Sequence, residues 1–163
     1  MPDLRYPAGK FDSAAPITAE SRAAAVADLA ALPARLRAAV AGLTDVQLDT
    51  PYRPDGWTVR QVVHHLADSH LNAYTRIRLG LTEENPTIKP YAEQKWAELP
   101  DARSAPVELS LAILDGLHQR WVALSRTLSD ADYARTVVHP EHGRQMSLDF
   151  LTAMYAWHCR HHV

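Results

Sequence analysis

Ser147-Leu148-Asp149-Phe150-Leu151-Thr152-Ala153-Met154-Tyr155-Ala156-Trp157-His158-Cys159-Arg160-His161-His162 all but closes the chain and reads as a helix capped by Ser147. At about 100° per residue, Leu148, Leu151, Tyr155, His158 and His162 fall on one stripe about 80° wide. A helix turns such a stripe toward a core, so the inward face here changes from hydrocarbon to imidazole. His158 and His162 stand four apart, and both rings can reach one ion from the same face. A single inward histidine is ordinarily a core residue satisfied by hydrogen bonds. Two stacked ones, with more histidines crowded on another helix, favour a metal. His161 sits at the edge of the stripe, and Cys159 lies further round on the other side.

Working outward, residues 1–17 are rich in Pro, Gly and Asp and read as an extended arm. Thr18 caps a first helix whose apolar positions Val26, Leu29, Pro33, Leu36, Val40 and Leu43 alternate spacings of three and four, the seam of a bundle. Pro33 is expected to kink it, because proline removes a backbone donor and clashes with the preceding turn. Thr44-Asp45-Val46-Gln47 has capping-box form and opens a short turn of helix, after which Pro51, Pro54 and Gly56 break the chain. Thr58-Val59-Arg60-Gln61 is a second capping box. It opens a long helix running to about Leu81, roughly 35 Å at a rise of about 1.5 Å per residue. Asn85-Pro86 and Lys89-Pro90 terminate it.

A short helix is predicted over Ala92 to Leu99. Ser104 is expected to cap a third long helix that tolerates Pro106 in its first turn and carries a stripe of Leu111, Leu114, Leu117, Trp121, Leu124 and Leu128. Thr136 to Met146 predicts a loop or small hairpin. Neither an internal repeat nor an interdomain linker is present. The expectation is all-α: one domain over residues 1–163, a four-helix bundle with a short loop or hairpin before the last helix.

The second long helix supplies His64, His65 and His70. Its apolar face is Val59, Val62, Val63, Leu66, Ala73 and Ile77. His70 lies near the centre of that face, His65 near one edge, and His64 points away. Periodicity favours His70 as the third ligand without settling the choice. Three imidazoles with open positions suit Zn²⁺, or less commonly Ni²⁺ and Fe²⁺. Asp68, three residues after His65, reads equally as an acceptor behind a ligand or as a surface carboxylate. Cys159 reads as an inert helix thiol, since no adjacent base is evident. His118 is expected to be structural, and His139 and His142 solvated in their loop. Trp57, Trp121 and Trp157 read as core or interface fillers rather than a substrate cage.

Composition narrows the function classes. The 163 residues carry a formal charge of −2, with acidic and basic residues mixed, so no basic face for nucleic acid is expected. Arg35/Arg37 and Arg76/Arg78 read as solvated helix faces. One cysteine permits no intrachain disulfide and suits a reducing compartment. Met1 to Lys10 lacks an apolar h-region and no run approaches a membrane span of about 18 residues, which together predict a soluble, cytoplasmic protein. Nine histidines, six of them in two short segments, point instead to chemistry. A His-Glu-x-x-His motif, a Cys-x-x-Cys pair, a glycine-rich phosphate loop and a Gly-x-Ser-x-Gly elbow are all missing.

At these same residues the sequence resembles the YfiT branch of the DinB-like metalloproteins. The resemblance is carried by Leu48-Asp49-Thr50-Pro51-Tyr52-Arg53, by the run from Gly56 to His70, and by the ending Tyr155 to His162. Tyr6-Pro7 with Gly9-Lys10, Leu81-Thr82-Glu83-Glu84 and Arg120-Trp121 fit the same pattern. The resemblance implies a four-helix bundle, a homodimer, and one zinc or nickel ion per chain held by His65, His158 and His162. On that assignment His70 becomes a buried residue behind the ligands. It also implies metal-dependent hydrolysis, or transfer of a low-molecular-weight thiol such as bacillithiol to an electrophile. Relatives of this type usually continue past the final histidine pair. Here Val163 follows His162 directly, so a weakly held third ligand, or a shortened sequence, is expected.

Three functions follow. A thiol S-transferase would bind its thiol as thiolate at the metal, for attack on a small electrophile. A hydrolase would activate water there and would need a group to shuttle protons, which the sequence does not name. A metal-stabilised, non-catalytic helical module is the third. Because thiolate attack needs less proton traffic, thiol transfer is favoured.

Overall fold

The computed structural model describes residues 5–141 and 143–163; the expectation for His142 lies outside them. The helices are α1 (Ala19–Val40), α2 (Asp45–Leu48), α3 (Val59–Thr82), α4 (Glu93–Ala97), α5 (Pro100–Ser104), α6 (Val107–Ser125), α7 (Asp130–Ala134) and α8 (Leu148–His162). Strands β1 (Thr136–His139) and β2 (Arg144–Ser147) pair antiparallel, Thr136 opposite Ser147 and His139 opposite Arg144. The four long helices are α1, α3, α6 and α8, as their periodicity predicts, and the hairpin precedes the last. Among the described residues no helix is long and apolar enough to cross a membrane.

Caps set most boundaries. Thr18 with Ser21, Thr44 with Gln47, and Thr58 with Gln61 each form a reciprocal capping box, and the Ser147 side chain accepts from Phe150 N. Ser104 does not cap α6. Pro106 forces Ala105 into extended backbone (φ −68°, ψ 153°), so Ser104 closes the separate turn α5 and α6 starts at Val107. The short helix expected over Ala92 to Leu99 is α4, and Pro100 then opens the separate turn α5. α7, which sequence reading missed, is opened by a capping box of Ser129 and Asp132. α1 runs on through Pro33, which is buried.

Each of α1 and α3 packs against both α6 and α8, so the first two long helices face one another across the bundle. Leu29, Leu32, Leu66, Ile77, Leu114, Trp121, Leu148 and Leu151 are essentially inaccessible and form its centre. Burying one such side chain contributes about 1.5–3 kcal/mol, which is why these stripes decide the packing. At Gly80 on α3 a Cβ would stand 2.7 Å from Leu148 Cδ2 and 3.1 Å from Val137 Cγ1, so glycine there lets α8 and β1 approach closely. Buried Arg60 ties α2 to α3 through Asp45 and Asp49 and reaches the Ala105 carbonyl before α6. This frame lays the middle of α3 against the last two turns of α8.

Candidate metal centre

Three imidazoles meet there: His65 from α3, and His158 and His162 from α8. One nitrogen from each lies within 4.8 Å of the other two. His65 Nε2 and His158 Nε2 are 3.3 Å apart. Two nitrogens bound to one tetrahedral zinc at about 2.0–2.1 Å would be about 3.3–3.4 Å apart, so this pair fits such an ion. Burial lowers all three: His65 to about 4, His162 to about 3, and His158 well below its ordinary value. All three rings are therefore neutral near pH 7 and keep a lone pair for a cation.

The lone pair of His158 is aimed by a chain of hydrogen bonds. His118 Nδ1 lies 2.6 Å from the Leu29 carbonyl oxygen, which can only accept, so Nδ1 carries the proton. His118 Nε2 then accepts from His70 Nδ1 at 3.0 Å. Burial also keeps His70 neutral, so its Nε2 accepts from His158 Nδ1, again at 3.0 Å. His158 is left with an unprotonated Nε2, the atom that faces His65. Partners of this kind behind a ligand fix its tautomer and ring orientation. His70, central on the apolar face of α3, thus serves behind His158, and the structural reading of His118 acquires a partner at each ring nitrogen.

Other expectations are corrected. His64 is buried rather than turned away, because α3 also packs against α5 and α6. Its Nδ1 is 2.7 Å from Ser110 Oγ and its Nε2 3.1 Å from the Ala105 carbonyl. Arg76 is buried, unlike exposed Arg78. Half-buried Asp68 makes no side-chain hydrogen bond to His65 among the described residues; burial raises it to about 6. His139 is half-buried on β1 rather than solvated in a loop. Cys159 is buried, and burial pushes its thiol up to about 12, in keeping with an inert side chain.

The three histidines open on a cavity of about 400 Å³ walled by Arg53, Trp57, Glu93, Gln94, Trp157 and His161. Trp57 and Trp157 therefore line the site, whereas Trp121 is a core filler. The Trp57 ring lies 4.7 Å from that of His65 and its Nε1 donates to Gln94 Oε1 at 3.1 Å; Trp157 stacks on His161. Asp55 and Glu93 place carboxylates in this lining, acid–base candidates that no spacing in the sequence marks. The arm lies over α8, with Trp157 Nε1 donating to the Gly9 carbonyl and Tyr6 beside His161.

A four-helix bundle with converging imidazoles from its second and last long helices defines a class of proteins built to hold one metal ion between helices. The chain belongs to the DinB superfamily, whose sequence profile matches residues 12–163. A protein of Bacillus cereus strain B4264 named "Putative metal-dependent hydrolase" is 53% identical over 163 residues, covering 100% of this chain and 93% of that protein. A Bacillus mycoides protein of the same name is 52% identical with the same coverage. Among solved structures, YfiT from Bacillus subtilis, described as a probable metal-dependent hydrolase with an unusual four-helix bundle topology, is similar at a TM-score of 0.94. It is 48% identical, with 98% of this chain and 91% of that one covered.

Proposed function

We propose that this chain is a metal-dependent enzyme that transfers a low-molecular-weight thiol to a small electrophile. One divalent ion per chain, Zn²⁺ or Ni²⁺, would be held by His65, His158 and His162. The observation that carries the reading is three neutral imidazoles within 4.8 Å of one another, facing a cavity and, among the described residues, joined by no fourth ligating side chain. When bound, the ion would supply Lewis acidity that favours the thiolate over the thiol. Trp57 and Trp157 offer flat apolar walls for the electrophile, and His70 and His118 hold His158 in the required tautomer. In the transfer the thiol loses its proton to solvent, the sulfur–carbon bond forms, and the leaving group departs with its electron pair.

Hydrolysis is the second reading, favoured by the names of the relatives and by Glu93, which borders the cavity beside His65 and His158 and could carry a proton. A panel of cellular thiols with monochlorobimane, run beside ester, amide and lactone panels on the zinc- and nickel-loaded protein, separates the two. The proposal expects a thiol adduct that His65→Ala abolishes together with metal content. Absence of any adduct, with hydrolysis of one panel member, would replace it by the second reading. A homodimer and a cytoplasmic location are part of the proposal. Leu109 and Ile113, exposed four residues apart on α6, support the dimer, which sedimentation tests.

A further inference from the structure

Among the described residues two arginines, Arg60 and Arg76, are buried in this bundle. Arg60 has two carboxylate partners, Asp45 and Asp49. Arg76 on α3, 9% exposed, has none among the described residues. Its guanidinium donates to Tyr155 Oη at 3.2 Å and to the Lys89 carbonyl at 3.1 Å, both neutral oxygens. A guanidinium has five donors, and a charge withdrawn from water without a counter-ion is unfavourable unless something supplies the opposite charge. Arg76 lines a second cavity, of about 600 Å³, with Ser69, Tyr91 and Tyr155. Tyr91 Oη is buried there beside Ser69, and burial pushes its phenol up to about 12, so it remains a donor. Glu93 and Glu141, both exposed residues, also border this cavity, and neither pairs with Arg76.

The second cavity adjoins the first: His158, Trp157, Glu93 and Gln94 line both. The Tyr155 ring, which bears the hydroxyl bound by Arg76, is 5.8 Å from the His158 ring. A small molecule can therefore touch Arg76 at one end and the histidines at the other.

We propose that Arg76, with the Tyr91 hydroxyl, forms a carboxylate subsite that holds the acidic end of the substrate whose other end reacts at His65, His158 and His162. A carboxylate matches the single positive charge and the planar donor fork of arginine. The reacting end rests on the function proposed above; the subsite itself does not.

The test uses the cobalt-loaded protein and two ligand series, ω-mercaptoalkanoates of increasing chain length and the matching neutral ω-mercaptoalcohols. The thiolate-to-cobalt charge-transfer band reports thiol binding. At the best chain length the carboxylates should bind about tenfold or more tightly than the alcohols, the size of one charged hydrogen-bonded pair. Arg76→Gln should erase that preference while alcohol affinity stays unchanged. Tyr91→Phe, which keeps the ring packing, should erase part of it and covers the case in which Arg76→Gln does not fold. A preference equal in wild type and both variants, or none at any length, overturns the subsite. If no thiol gives a band, the thiol reading fails, and calorimetry with thiol-free alkanoates then decides. Binding lost in Arg76→Gln or weakened in Tyr91→Phe supports the subsite; binding equal in wild type and the variants, or absent from wild type, overturns it.

Discussion

The metal-free protein should lose stability steeply as pH falls from about 6.5 to about 4, because the histidine cluster is buried neutral. His65 is held at about 4 by burial against an ordinary value of 6.5. Over that interval the unfolded chain takes up a proton that the folded chain refuses. The contribution is complete above pH 6.5 and is lost as pH falls toward 4. At about 1.4 kcal/mol per unit, His65 alone accounts for about 3 kcal/mol. His162, at about 3, and His70 and His158, both lowered well below their ordinary values by burial, act in the same direction. Asp68, raised to about 6 by burial, opposes them, since it gains stability on protonation, but it is partly exposed and counts for less. Against a total of about 5–15 kcal/mol, several such rings should leave the protein near unfolding at pH 4. Urea titrations of the chelator-treated protein, followed by circular dichroism from pH 7.5 down to pH 4, would measure this. Stability should fall with a net uptake of at least two protons, and His65→Gln should reduce that uptake by about one. A flat stability between pH 6.5 and pH 4.5 would refute the reasoning, since the rings would then be charged or solvated in the folded state.

Three further outcomes are expected. In His118→Phe the chain from the Leu29 carbonyl is cut, so nitrogen NMR of the metal-free protein should find His158 in mixed tautomers, with zinc affinity weakened about tenfold or more. His118→Gln can still donate and accept, and should keep the Nδ1–H form; identical spectra for wild type and the phenylalanine variant would exclude the chain. Gly80→Ala should cost about 1–3 kcal/mol in chemical denaturation, because a Cβ meets Leu148 and Val137 in packed core, and a variant as stable as the parent would show that α8 can yield. Cys159, buried and with its thiol at about 12, should resist Ellman's reagent at neutral pH in the folded protein and react fully once denatured; rapid labelling of the native protein would contradict its burial.

The long elements could be read from the chain because their determinants are local. Thr18, Thr44, Thr58 and Ser147 announce helix starts through side-chain bonds spanning three residues, and spacings of three and four mark the stripes that bury. The pairing of His158 with His162 is likewise a property of one helix. Short elements were less legible: α5 and α7 are single turns, fixed by the constraint of Pro106 on Ala105 and by a cap at Ser129.

Local contacts therefore dictate the set of helices, their inward faces and the two stacked imidazoles, since each depends on residues within a turn or two. Which ring of α3 joins them was decided by tertiary structure. His65 and His70 both lie on buried surface, but α8 crosses so that His65 faces the Nε2 of His158 while His70 takes its Nδ1. The burial of Arg76 and His64 has the same origin. α3 is enclosed on more than one side, by α6 and α8 and by the turns α4 and α5, and a periodicity drawn for a single apolar face has no way to register the others.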